Sequence, residues 1–161
     1  MPQEPSSPLT EKKTLIIGLG NILKGDDGIG VRVAEILSLR ELPAGVAVEE
    51  VGTPGIDLMN RFEGWQKVIL VDAVQMGAKP GTWRRFSPQD VRLIANGNVL
   101  SLHEPDLASV LELAQALNML PDEIVIYGVE PQDLTFMAPL SSPVEAIINV
   151  IAEQILSEIW K

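Results

Sequence analysis

The stretch TLIIGLGNILKGDDGIG, residues 14–30, constrains the fold more than any other part of the chain. It opens with a short apolar, β-branched run, the pattern of a buried strand. The run ends in glycines. A helical pattern follows, with Ile29, Val33, Ile36 and Leu37 at helical spacing and Arg32, Glu35 and Arg40 between them, predicting a helix over residues 29–41. A buried strand that turns sharply into an amphipathic helix is the first step of an alternation that continues along the chain.

Residues 45–52, GVAVEEVG, read as a second strand, and a GTPG turn leads into a short helix over Ile56–Phe62. KVILVDA, residues 67–73, is a third strand, apolar until its end and so central in the sheet. GTWRRFS, residues 81–87, is a fourth. About ten residues separate it from Asp72, too few for a helical crossover, so it is expected to run antiparallel. Residues 88–102 read as a short helix and then a loop. Pro105 opens a helix to about Leu120, with Leu107, Val110, Leu111, Ala114 and Leu117 on one face. EIVIYGVE, residues 123–130, is the fifth strand. The last helix begins near Ser142, which pairs with Glu145 as a capping box and places Pro143 at the first helical position. Val144, Ile147, Ile148, Ile151 and Ile155 form its core stripe.

The expected fold is therefore α/β: a three-layer sandwich whose mixed, mostly parallel five-stranded sheet has helices on both faces. One domain covers residues 14–161, behind a flexible tail at residues 1–13. A chain of 161 residues is long enough to bury a sizeable core. Sites in such folds lie at the carboxyl ends of the strands, which directs attention to the ends of the first and third.

Composition narrows the function. No apolar run approaches the roughly 18 residues of a spanning helix, and residues 1–13 hold no hydrophobic stretch of a signal peptide. With no cysteine there is no disulfide, thiolate metal site or cysteine nucleophile, and a cytoplasmic protein is expected. A formal net charge of −10 opposes nucleic-acid binding, which needs cations against phosphates. The acidity serves solubility, or it marks carboxylates converging on a cation or a basic partner.

The opening loop resembles two phosphate-binding motifs and fails both. Gly18 and Gly20 fit a dinucleotide fingerprint, but Leu23 stands at its third glycine. Gly20 and Gly25 fit the other glycine loop, but Asp26 and Asp27 replace its lysine and hydroxyl. Two anions there repel phosphate and favour a cation. The competing reading is that Asp26 or Asp27 caps the helix that starts near residue 29. One aspartate suffices for a cap, which leaves the other for a cleft.

Asp72 ends the apolar run VILV, where a charge is costly unless paired or coordinated; a turn-capping aspartate is the alternative. His103 is the only histidine and precedes Pro105, so it falls in a loop at a helix entrance. A lone histidine is usually structural. Asp27, Asp72 and His103 together could nevertheless supply two carboxylates and an imidazole to a divalent metal, with a coordination position left open. Their wide spacing matches no local metal motif. There is no G-x-S-x-G elbow and no H-E-x-x-H helix, since His103 and Glu104 lack a second histidine.

GLGNILKGDDGIGVRVAEIL, GTPG, VILVDAVQMGAKPG, SLHEPDLASVL and YGVEP occur in this order, spanning about residues 14–155. In that order and spacing the chain resembles the maturation endopeptidases of nickel–iron hydrogenases. The resemblance implies an endopeptidase that removes a C-terminal extension from the large-subunit precursor after nickel insertion. It implies metal ligation and catalysis by Asp27, Asp72 and His103, with nickel bound to substrate or enzyme and another divalent metal able to substitute. Asp26 and Glu130 are candidate general bases on residue type alone. The expected partner is the precursor, with no nucleic acid or membrane, and the enzyme is expected to be a monomer. A non-catalytic nucleotide- or metabolite-binding α/β module, or a related peptidase with another protein substrate, is the alternative.

Overall fold

The computed structural model describes residues 12–91 and 107–161. Five strands form one sheet: β1 (Thr14–Gly18), β2 (Val46–Glu50), β3 (Lys67–Ala73), β4 (Trp83–Phe86) and β5 (Glu123–Val129). Their order is β2-β1-β3-β5-β4. β1 pairs in parallel with β2 and β3, and β3 with β5, while β4 runs antiparallel on the β5 edge. The short connection after β3 imposes that reversal, and the apolar third strand is central, both as the sequence predicts.

Helices α1 (Ile29–Ser38), α2 (Asp57–Asn60), α3 (Leu107–Ala116), α4 (Ser142–Glu145) and α5 (Ile148–Ile159) cover the sheet. Alternation along the strands sorts the core into two layers. Leu15, Ile17, Val68, Leu70, Ile124 and Ile126 pack with Leu58 and Phe62 around α2 and with Leu107 and Leu111 of α3. Ile16, Ile69, Val71, Val125 and Tyr127 pack against Ile29, Val33 and Leu37 of α1 and Ile151 and Ile155 of α5. Each such side chain contributes roughly 1.5–3 kcal/mol when fully buried. Among the described residues no helix is long and apolar enough to cross a membrane.

Several boundaries differ from the sequence reading. The fold already includes two residues assigned to the tail: the Lys13 carbonyl accepts the N–H groups of Gln66 and Lys67, both at 3.0 Å, and Lys12 pairs with Glu123. α1 ends at Ser38, whose hydroxyl donates back to the Glu35 carbonyl at 2.7 Å. α3 ends at Ala116 because Asn118 turns left-handed (φ 57°) and the Met119 N–H closes onto the Ala114 carbonyl.

The final helix is split: Ile147 leaves helical geometry (φ −106°, ψ 1°) between α4 and α5. Ser141, not Ser142, is the N-cap of α4, and no side-chain capping bond forms there. The expected capping box of Ser142 and Glu145 is therefore replaced, and Pro143 takes the second helical position. The physical reason is distant, because the Ser141 N–H and hydroxyl both donate to Asp26.

Candidate active site

β1 and β3 remain stitched together one residue past β1, where the Leu19 N–H donates to the Val71 carbonyl at 2.8 Å. The chain then turns at Gly20, whose φ of +119° suits glycine alone; a Cβ there would lie 1.8 Å from the Asp27 carbonyl oxygen. Residues Gly25–Gly28 form a single 3-10 turn, GDDG, and α1 starts at Ile29. Its first turn rests directly on β3, since a Cβ on Gly30 would come within 2.1 Å of the Val71 carbonyl oxygen. These close approaches seat the two adjacent aspartates over the carboxyl end of the strand that carries Asp72.

Asp27 is 2% exposed, and its Oδ2 accepts the Asn21 N–H at 2.8 Å. Asp72 is 1% exposed, and its Oδ1 accepts the Ala73 N–H at 2.9 Å. By alternation Asp72 shares the sheet face of Val68 and Leu70, the face covered by α2 and α3. Burial makes a charged carboxylate costly unless it is paired or coordinated, a cost that a bound cation would offset. Carboxylate oxygens completed by an imidazole suit a divalent first-row metal. His103 lies outside the described residues, and among those described no trio of acidic or histidine side chains is placed to hold a metal. A groove of about 400 Å³, lined by Gly20, Asn21, Ile22, Val31 and residues 50–53, opens beside the turn.

Neither aspartate caps α1. Its N-cap is Gly28, with no side-chain capping bond. Asp26 is instead a fully buried clamp on a distant segment. Its Oδ2 accepts the N–H groups of Gln132 (2.8 Å) and Asp133 (2.9 Å) and the Ser141 hydroxyl (2.7 Å); its Oδ1 accepts the Ser141 N–H (2.7 Å). The Asp26 N–H adds a bond to the Asp133 carbonyl at 2.8 Å. Glu130 is similarly engaged: Oε2 accepts the Met76 N–H at 2.5 Å and ties the end of β5 to the connection after β3. Both general-base candidates thus use their carboxylates to hold backbone. The partners of Asp26 lie more than 100 residues away in the chain, so no local pattern announces them.

The family described as hydrogenase maturation protease matches residues 31–158. The hydrogenase expression/formation protein HoxM of Azotobacter vinelandii is 36% identical over 140 residues, covering 86% of this chain and 68% of that protein. The hydrogenase 2 maturation protease of Escherichia coli is 33% identical over 147 residues, covering 90% and 89%. The solved structure of the hydrogenase maturating endopeptidase HybD from Escherichia coli superposes with a TM-score of 0.80 at 33% identity, covering 91% of each chain. The non-catalytic binding module weighed from the sequence gives way to these findings, and the chain belongs to the hydrogenase maturation protease family.

Proposed function

We propose that this protein is the endopeptidase that cuts the C-terminal extension from the large-subunit precursor of a nickel–iron hydrogenase once nickel has been inserted. The observation that carries the reading is the pair of buried acids, Asp27 in the turn that follows β1 and Asp72 at the carboxyl end of neighbouring β3, in a chain of this protease family. Asp27, Asp72 and His103 would hold the metal. Nickel carried by the precursor is then part of the substrate, and an oxygen-rich ligand set with an open position can complete its coordination sphere. Such a metal supplies Lewis-acid polarisation of the scissile carbonyl and activation of water. The chain's own acids position the loaded end of the precursor, and the adjoining groove receives the extended peptide. The enzyme acts in the cytoplasm, as a monomer, on a partner that is itself a large protein.

The test is incubation with precursor and a mass measurement of what leaves its C-terminus. Native protein is expected to shorten nickel-loaded precursor and to leave nickel-free precursor intact. Asp27→Asn, Asp72→Asn and His103→Ala are each expected to lose at least about 100-fold in rate while circular dichroism stays native. Full processing by these variants overturns the site assignment, and efficient cleavage of nickel-free precursor overturns recognition through the metal.

A further inference from the structure

Two segments rim the Asp27 turn and are bonded into one edge. The Met137 N–H donates to the Leu23 carbonyl at 2.6 Å, and the Asp26 N–H to the Asp133 carbonyl at 2.8 Å. Gly25 (φ +52°) permits the approach, since a Cβ there would meet the Asp133 carbonyl oxygen at 2.3 Å. The Asp26 carboxylate draws in both ends of the same segment, Gln132 and Asp133 on one side of Met137 and Ser141 on the other. The edge is therefore held in place before anything binds, which lowers the ordering cost of association.

This edge shows apolar side chains to solvent. Ile22 is 52% exposed, Leu23 48%, Phe136 64% and Met137 69%, four of the ten exposed large hydrophobics among the described residues. Met137 also holds a left-handed backbone (φ 69°), a conformation that non-glycine residues seldom adopt and that clusters at functional sites. Scattered exposed hydrophobics need no explanation, but grouped ones mark contact surfaces. Phenylalanine and methionine are enriched in the centres of protein interfaces.

Continuity with the acid site identifies the occupant. Asp26 and Asp27 share the 3-10 turn, and the Asn21 N–H next to Ile22 donates to Asp27. Whatever covers the edge lies against the acid site. Resting on the protease reading above, we propose that Ile22, Leu23, Phe136 and Met137 form a docking edge for an apolar segment of the precursor beside its C-terminal extension.

The test compares native protein, Leu23→Ser, the double variant Phe136→Ser/Met137→Ser, and Leu39→Ser, a control at the 88% exposed C-cap residue of α1. Cleavage of nickel-loaded precursor is followed over a range of precursor concentrations, with direct binding and sedimentation alongside. The edge variants should raise KM on the order of tenfold or more with kcat within about twofold, and the control should match native. Native cleavage with an unchanged KM in the edge variants overturns the docking edge and leaves the protease reading standing. Native protein that neither binds nor cleaves precursor overturns both. Native self-association that the double variant abolishes overturns the proposal by assigning the edge to a second copy of this chain.

Discussion

Asp26 and Asp27 occupy one turn, yet their carboxylates face different surroundings. Asp26 accepts four hydrogen bonds from residues 132, 133 and 141, while Oδ2 of Asp27 accepts the N–H of Asn21 from its own loop. Asp26→Asn keeps the shape but turns one acceptor into a donor that faces donors. It is expected to cost about 2–4 kcal/mol, read as a lowered urea midpoint with the slope unchanged. Asp27→Asn retains an acceptor for Asn21 and is expected to cost less, while losing processing. An Asp26→Asn variant as stable as native would refute the clamp. The sequence raises the expectation that this loop favours a cation, because two acids replace a lysine and a hydroxyl at known offsets. It could not show which acid is structural, because that depends on partners 106 to 115 residues away.

At the scale of elements, the site exists because α1 lands directly on β3. A Cβ at Gly30 would meet the carbonyl oxygens of Val71 at 2.1 Å and Leu19 at 2.4 Å, backbone atoms that cannot swing aside. Gly30→Ala should therefore push α1 off the sheet and cost about 3 kcal/mol. Gly52→Ala, with nothing within 4 Å of its added Cβ, should stay within about 0.5 kcal/mol of native; matched urea unfolding of the two variants checks the contrast. Element identities were legible in the sequence, since apolar periodicity and connection length act locally. The start of the last helix was not: the local signal at Ser142 yields to Ser141, which the Asp26 carboxylate recruits from the opposite end of the chain.

On the scale of the whole molecule, a polar cluster fastens the sheet edge to the helix layer. Tyr127 of β5 donates its hydroxyl to Glu158 of α5 at 3.0 Å, and Arg85 of the edge strand β4 pairs with the same carboxylate. Burial, followed by the Glu158 charge and hydrogen bond, pushes the Tyr127 hydroxyl up to about 12 from 10.0, against the opposing pull of Arg85. A group whose folded value is raised contributes stability below its unfolded value and loses it as pH climbs to the folded one. Stability should therefore fall between pH 10 and about 12, and less steeply in Tyr127→Phe. Urea midpoints across that window check this, and equal slopes in the two proteins would refute it.

The sequence by itself determined the α/β alternation, the central third strand, the antiparallel edge and the reversal of charge in the glycine loop. Each of these rests on residues near one another in the chain. Only the tertiary structure decided that Asp26 is a clamp, that Glu130 holds a connection, and that an apolar edge borders the acid site. Those outcomes follow from hydrogen bonds and close approaches between segments about 50 to 115 residues apart, which no local pattern encodes.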